Sequence, residues 1–174
     1  MKQLKEINPR PVTRNDLEVI KNWRNQNGIW EFNTQYIFLN MTNQRNWFKQ
    51  ITSIESNRKM FIIMYKQKIP LGVCGLINID KENNSAEVAI IIGNKQFHGK
   101  GLGSESLYQL VKYGFSKLKL HKIKAEIFEF NTISFELFEK LNFKHEAIKH
   151  QSLWRNSKWW DIHMYSLFKK DYDL

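Results

Sequence analysis

The residues best suited to chemistry lie in one segment, Gln96–Glu105, which reads Gln-Phe-His-Gly-Lys-Gly-Leu-Gly-Ser-Glu. Its three glycines, at every second position, leave main-chain N–H groups unshielded by side chains. The segment follows an apolar run at 86–92 and opens an amphipathic stretch typical of a long helix. The first N–H groups of a helix lack helical acceptors and carry the positive end of its dipole. We therefore predict a phosphate-binding turn here.

A second candidate group is the carboxylate of Glu87, in the otherwise small or apolar run Ser85–Ile90. On such a strand a carboxylate either faces solvent or takes part in chemistry such as proton transfer. The five histidines show no metal-ligand spacing, and the single cysteine, Cys74, excludes an internal disulfide and a cysteine-based metal site. We predict no bound metal and an inert, buried Cys74 thiol.

Composition limits the classes of partner. The 174 residues are 42% hydrophobic and 25% charged, which is typical of one globular domain. The net charge of +10 invites a nucleic-acid interpretation. The lysines are spread along the chain without an arginine-rich helix or aromatic RNA-binding signature, so a small polyanion fits better. The first residues lack an apolar leader and no apolar run is long enough to cross a bilayer, so we expect a cytoplasmic protein with no membrane or nucleic-acid partner.

The secondary-structure elements that must position these groups follow from the hydrophobic periodicity and from the capping and turn residues. A strand is predicted over 4–14, with Thr13 and Asp16 as a capping box before a helix that carries Leu17, Ile20 and Trp23. A second helix is predicted from a Thr42 cap. Strands at 60–66, 71–80 and 85–93, the long helix, a strand at 121–130, a helix at 133–141 and strands at 143–153 and 159–168 complete the order β-α-α-β-β-β-α-β-α-β-β. We predict an α+β layered domain over residues 1–174.

This order, with Gln96, Gly99 and Gly101 after the fourth strand, resembles the GNAT superfamily of acetyl-CoA-dependent N-acetyltransferases. Asn131–Ser134 followed by Phe138–Phe143 is similar to that family's later Asn and Tyr-x-Lys-x-Gly-Phe segment. The opening, Arg10–Leu17 and then Trp23-Arg24-Asn25, is similar to the branch with ribosomal-protein N-terminal, spermidine and nucleotide-amino-sugar acetyltransferases. The resemblance implies a three-layer fold, a mixed central sheet of about seven strands with helices on both faces, and direct acetyl transfer from acetyl-CoA to an amine.

The resemblance also implies roles for individual residues. The main-chain amides of Phe97 to Ser104 bind the coenzyme A pyrophosphate, Ile91 and Ile92 offer main-chain groups to pantetheine, and Glu87 serves as base. A Glu87–Gly99 spacing one residue longer than usual predicts a bulge in the fourth strand. The expected cofactor contacts are Ile91, Ile92, Gln96, Phe97, His98, Gly99, Lys100, Gly101, Leu102, Gly103, Ser104, Asn131 and Ser134.

The sequence departs from the family pattern at Phe138, where the tyrosine acid is expected. Ser134 or Tyr108 is an alternative acid, the thiolate can leave without one, or the protein is a non-catalytic coenzyme A-binding module. We expect the acceptor pocket between the first two helices, their loop and the last hairpin. Its candidates are Trp23, Arg24, Trp30, Glu31, Phe32, Trp154, Trp159 and Trp160, with Arg24 as an anion contact. A nucleotide-linked amino sugar is the favoured acceptor, a polyamine or a ribosomal-protein N-terminus is the alternative, and a homo-oligomer is left open.

Overall fold

A seven-stranded sheet runs through the protein. The computed structural model describes residues 6–172. The strands are β1 (Ile7–Pro11), β2 (Lys59–Tyr65), β3 (Ile69–Asp80), β4 (Ser85–Ile92), β5 (Lys122–Phe128), β6 (Lys144–Arg155) and β7 (Lys158–Phe168), in the spatial order β1-β2-β3-β4-β5-β7-β6. All neighbouring pairs are antiparallel except β4 and β5, which are parallel.

Helices cover both faces of this sheet. They are α1 (Leu17–Arg24), α2 (Met41–Thr52), α3 (Leu102–Ser116), α4 (Thr132–Glu139) and the short α5 (Lys169–Tyr172). The larger core cluster joins α3 and α4 to one face, and includes Leu107, Leu110, Phe115, Phe138 and Ile123. A smaller cluster joins α1 and α2 to the other face of β2, β3 and β4, and includes Ile20, Trp23, Ile62, Val73 and Ile91. The predicted mixed sheet with helices on both faces is confirmed.

The predicted order of elements is also confirmed, with small shifts at element ends. The second helix begins at Met41 and is capped by Asn40, whose Oδ1 accepts the Asn43 N–H (2.9 Å), rather than by Thr42. The first strand is shorter than predicted, and residues 4 and 5 of that prediction lie outside the described residues. The sequence did not predict α5. Among residues 6–172, no helix combines the length and apolar character that crossing a membrane requires.

The predicted capping box stands before a 3₁₀ turn at Arg14–Asp16 that leads into α1. Asp16 Oδ2 accepts the Thr13 N–H (2.7 Å), and the Arg10 guanidinium donates to both Asp16 oxygens (2.7 and 2.8 Å). Burial of Asp16 opposes ionisation, but the hydrogen bonds from Arg10 and Thr13 outweigh it and hold the pKa of this carboxyl below its usual value. This bond set fixes the end of β1 to the start of α1.

Candidate active site

An opening between β4 and β5 is the central feature of the site. In the described part of the chain, the two strands pair only at Ser85–Glu87 with Lys122–Lys124. Beyond these residues each strand continues, β4 to Ile92 and β5 to Phe128, without pairing to the other. The main-chain groups of β4 that face this opening therefore have no partner strand there.

The glycine turn lies at the open end, directly after β4. Gly101 is the N-cap of α3 with a φ of 70°, and Gly99 has a φ of 73°, so both adopt the left-handed conformation that favours glycine. The first helical hydrogen bond runs from the Glu105 N–H to the Gly101 carbonyl (3.3 Å). The N–H groups of Leu102, Gly103 and Ser104 precede it and have no acceptor within the helix. The geometry fits the predicted phosphate site.

The structure narrows the set of donors in this turn. Residues Lys95–Phe97 form a 3₁₀ turn in which the Phe97 N–H donates to the Asn94 carbonyl (3.0 Å) and the His98 N–H to the Lys95 carbonyl (3.1 Å). The Gln96 N–H donates to Asn94 Oδ1 (3.3 Å). These three N–H groups are engaged, so the expectation that Phe97 and His98 donate to a phosphate is not supported. The Lys100 ammonium lies 5.0 Å from the centre of the Phe97 ring.

The main chain at the end of β4 divides between two neighbours. A Cβ atom on Gly72 of β3 would lie 2.0 Å from the Ile91 carbonyl oxygen, so the main-chain carbonyl of Ile91 points towards β3. The Ile92 carbonyl instead lies 2.8 Å from His98 Nε2, which must carry the proton. Because main-chain groups alternate sides along a strand, Ile90 and Ile92 face the opening. The expected main-chain contact of Ile91 with pantetheine is therefore not supported, and the main chain of Ile90 faces the opening instead.

Helix α4 approaches the same end of β4. A Cβ on Gly103 would lie 3.6 Å from Ile92 Cγ1 and 3.9 Å from Leu137 Cδ1, so the first turn of α3 lies against both β4 and α4. Asn131 is the N-cap residue of α4, but its side chain makes no capping hydrogen bond. Asn131 and Ser134 therefore stand at the start of α4, and their contacts with the cofactor stay a prediction.

Glu87 lies on the opposite face of the sheet from α3. It shares this face with Ile91, four residues along a regular strand, which packs into the α1–α2 cluster. Its Oε2 accepts a hydrogen bond from Asn78 Nδ2 (3.0 Å), and Lys124 of β5 stands opposite it in the parallel register. The predicted bulge in β4 is wrong, since β4 pairs with β3 without interruption from Glu87 to Ile92.

Phe138 lies in the core, 4% exposed, with its ring centre 5.0 Å from that of Phe143. Tyr108 contacts Tyr172, which follows β7. The last residue of β7, Phe168, pairs with Lys122 at the paired end of β4 and β5, away from the opening. This position argues against Tyr108 as the acid. Ser134 lies one helical turn before Phe138 on α4.

The side of the sheet where the acceptor pocket is expected, here called the acceptor side, is bounded by α1 and the loop that follows it. Arg24 Nε donates to Asn33 Oδ1 (3.4 Å), and Asn33 Nδ2 donates back to the Arg24 carbonyl (2.7 Å). Burial lowers the pKa of the Arg24 guanidinium. Within residues 6–172, Arg24 forms no ion pair with a carboxylate. The Trp23 ring packs directly on the main chain of Gly93, just beyond β4.

Aromatic rings and one arginine fix the loop between α1 and α2. Trp30 stacks on Tyr36 with ring centres 4.3 Å apart. Arg155, 3% exposed, donates to the carbonyls of Glu31 and Asn33, the latter at 2.6 Å, and lies over the Tyr36 ring. The Glu31 carboxylate accepts the Gly28 N–H (2.8 Å) and so supports its own loop.

The last hairpin contributes one of the three tryptophans expected from it, Trp160. Trp160 contacts Phe130, which in turn contacts Phe32 and Phe128, on the side of the α1–α2 loop. Trp154 and Trp159 pair with each other, 55% and 52% exposed. Because neighbours along a strand alternate faces, and Arg155 and Trp160 reach the loop, Trp154 and Trp159 point to the opposite face. Their expected place in the acceptor pocket is therefore wrong.

Sequence reasoning missed three residues that support the loop between α1 and α2, namely Arg155, Asn33 and Phe128. Arg155 stands in a polar turn, where an arginine is normally solvated, and its three carbonyl acceptors lie more than 120 residues away. No pattern in the sequence connects such groups.

The sheet with an opening between β4 and β5, and the helix-capping glycine turn beside it, define an acyltransferase fold. A model of the GNAT acetyltransferase domain matches residues 8–144, and the chain belongs to this family of enzymes that take an acetyl group from acetyl-CoA. The site fits this cofactor, because the unshielded N–H groups of α3 and the unpaired edge of β4 meet at one end of the opening, with Leu137 of α4 close to the first turn of α3.

Individual relatives extend the comparison. The uncharacterized N-acetyltransferase p20 of Bacillus licheniformis is 32% identical over 138 residues, 78% of this chain and 77% of that protein. Spermidine N(1)-acetyltransferase of Vibrio cholerae is 26% identical over 95% of both chains, and acetyltransferase PseH of Campylobacter jejuni is 26% identical over 82% and 83%. The crystal structure of the Vibrio cholerae spermidine enzyme with CoA and spermine has a TM-score of 0.89 at 23% identity, covering 96% of this chain and 98% of that one.

Proposed function

We propose that this N-acetyltransferase acetylates the primary amine of a nucleotide-linked amino sugar, with Glu87 as the group that accepts the proton. The observation that carries the acceptor class is Arg24, a half-buried guanidinium without a carboxylate partner in the described residues, on the acceptor side of the sheet. A cation held in this way favours an anionic acceptor. The diphosphate of a nucleotide sugar supplies that charge.

The acidic residues support the same acceptor. Between Arg24 and Met41 the only acidic residue is Glu31, and one oxygen of its carboxylate accepts the Gly28 N–H. A polyamine carries several positive charges and needs several carboxylates around it. The net charge of +10 disfavours a polycationic acceptor further, because it repels such a molecule during encounter.

The cofactor, when bound, supplies an activated acetyl thioester. Leu102, Gly103 and Ser104 would hold its pyrophosphate through their N–H groups, and Ile90 and Ile92 would contact the pantetheine arm. Asn131 and Ser134 would contact the cofactor from α4. One buried cysteine and these substrates fit a cytoplasmic enzyme, and we assign residues 1–174 to one acetyltransferase domain.

The residues on the acceptor side would carry out the proton transfer. Glu87 accepts a proton from the acceptor ammonium, directly or through one water, and leaves a neutral amine. An N–H group of β4 at the opening donates to the oxygen that gains negative charge. Phe138 cannot donate a proton to the departing sulfur, so Ser134 does so, or the thiol, with an ordinary pKa of about 8.5, leaves as the anion.

The acceptor class is tested by thiol release from acetyl-CoA with three kinds of amine: UDP-linked amino sugars, spermidine and spermine, and peptides with free N-termini. We expect turnover with the nucleotide sugars. Turnover with polyamines or peptides alone would overturn the acceptor assignment and leave the enzyme class intact. Tight coenzyme A binding without turnover of any amine would identify a non-catalytic coenzyme A-binding module instead.

The role of Arg24 is tested with Arg24→Gln, and Arg45→Gln, an exposed arginine on α2, is the matched control. We expect Arg24→Gln to raise the KM for the nucleotide sugar about tenfold or more, the size of one lost charge-assisted contact, with little change in kcat. Arg45→Gln should behave as the wild type. An unchanged KM in Arg24→Gln would remove the observation on which the anionic acceptor rests.

The base is tested with Glu87→Gln, which keeps the shape and the Asn78 contact. We expect kcat to fall by about 10²–10⁴, with the affinity for coenzyme A unchanged. Normal turnover in this variant would show that Glu87 is a surface carboxylate.

A further inference from the structure

Asn78 has an unusual conformation for a residue inside a strand. Its φ is 50°, in the left-handed region, at the point where the pairing of β3 with β4 slips between Ile77 and Asp80. In the strands of the described chain, Gln151 is the one other non-glycine residue with positive φ. Asparagine is among the few side chains that tolerate this conformation.

This slip in pairing is a bulge in β3, and it decides which face of the sheet the Asn78 side chain occupies. Leu76 lies in the core cluster under α3, and regular alternation would direct Asn78 to the same core face and Ile79 to the opposite one. The structure shows the reverse, since Ile79 packs against the α3 core and the Asn78 amide reaches Glu87 on the acceptor face. The bulge thus removes a polar side chain from the core and delivers it to the carboxylate.

The contact itself involves one carboxylate oxygen. Asn78 Nδ2 donates to Glu87 Oε2 at 3.0 Å, and in the described residues Glu87 Oε1 has no hydrogen-bond donor. The other charged groups around this pair come from the neighbouring strands. Lys124 of β5 stands opposite Glu87, and Asp80 of β3, held by Asn83, interacts with Lys124.

We propose that Asn78 is a positioning residue, which fixes the Glu87 carboxylate through Oε2 so that Oε1 faces the acceptor amine. This inference rests on the proposed role of Glu87. In the proton-transfer step, the acceptor ammonium loses one proton to Oε1, the nitrogen keeps the electron pair of that N–H bond, and Glu87 becomes a neutral carboxylic acid.

The cleanest perturbation is Asn78→Gly, because glycine accepts the positive φ and only the amide is lost. The matched control is Asn84→Gly, since Asn84 has a φ of 48° in the nearby β3–β4 turn and forms no side-chain hydrogen bond to Glu87. We expect Asn78→Gly to lower kcat/KM for the amine about tenfold, with the KM for acetyl-CoA unchanged. Asn84→Gly should match the wild type in both measurements.

A double-mutant cycle separates this proposal from the assignment of the base. If Asn78 acts through Glu87, Asn78→Gly should cause no further loss of kcat in a Glu87→Gln background. A tenfold loss in that background as well would show a structural role only. Normal kcat in Glu87→Gln would refute the base and the positioning role together. A slow Glu87→Gln beside a normal Asn78→Gly would refute the positioning role alone.

Discussion

Replacing Gly93 with alanine should push Trp23 and α1 away from the sheet and so disturb the acceptor side of the site. An alanine Cβ at this position would lie 2.0 Å from Cγ, 2.3 Å from Cδ2 and 2.5 Å from Cβ of Trp23. Carbon atoms in contact are ordinarily about 3.5–4.0 Å apart, so the indole must move by roughly 1.5 Å. Rotating the ring cannot relieve the overlap, because the Trp23 Cβ is itself too close. Helix α1 must therefore shift as a unit.

The cost follows from how closely Trp23 is packed. Its side chain is 6% exposed and shares a cluster with Ile20, Ile62 and Val73. Overpacking of this kind costs about 1–3 kcal/mol, and the contact with Trp23 Cβ places Gly93→Ala at the upper end, near 3 kcal/mol. For a chain of this size that corresponds to a fall in Tm of roughly 6–12 °C. Because α1 carries Arg24, the KM for the amine should rise as well.

Chemical denaturation of Gly93→Ala, Trp23→Leu and the double variant measures the effect. We expect Gly93→Ala to cost much less in the Trp23→Leu background, since the smaller side chain leaves room for the new methyl group. Gly103→Ala is the stability control, because its Cβ would lie 3.6 Å from the nearest atom. An equal cost of Gly93→Ala in both backgrounds, or none in the wild type, would refute the packing argument.

Three further predictions concern the turn, the acid and the pH dependence of stability. Gly101→Ala, at a φ of 70°, should weaken coenzyme A binding about tenfold by calorimetry, since the left-handed conformation costs roughly 1–2 kcal/mol for other residues; unchanged affinity would contradict the donor assignment. Phe138→Tyr should raise kcat several-fold by presenting a hydroxyl group to the sulfur, and an unchanged kcat with intact folding would show that the missing hydroxyl does not limit turnover. The lowered pKa of Asp16 means that its stabilising effect is complete above its unfolded pKa of about 3.9 and is lost as pH falls through the folded value. Asp16→Asn should therefore flatten the acid end of the stability–pH curve, and a curve of wild-type shape would contradict this assignment.

Much of the fold could be predicted from local signals. The strand and helix periods and the Thr13–Asp16 pair depend on residues close in sequence, and the structure confirms the order of these elements. The glycine turn was recognisable for the same reason, because its N–H groups, its left-handed glycines and the helix that follows lie within ten residues. The family pattern added the long-range order of these elements.

Other parts of the site depend on which face a side chain occupies. The sequence alone placed Trp154 and Trp159 in the acceptor pocket, whereas strand alternation across the β6–β7 hairpin turns them away from Arg155 and Trp160. The same alternation separates Ile91 from Ile90. The main-chain groups of Ile91 point to β3, whereas those of Ile90, one residue away, point to the opening.

Sequence patterns were enough to predict the order of elements, the glycine turn before α3 and the class of enzyme, because each is encoded in short segments with fixed spacing. Only the tertiary structure decided that Arg155 supports the acceptor loop, that Phe138 is enclosed in the core and that a bulge in β3 brings Asn78 to Glu87. These features depend on contacts between distant segments and on single-residue slips in register. A one-residue slip changes the face of every following side chain while leaving the local sequence pattern almost unaltered.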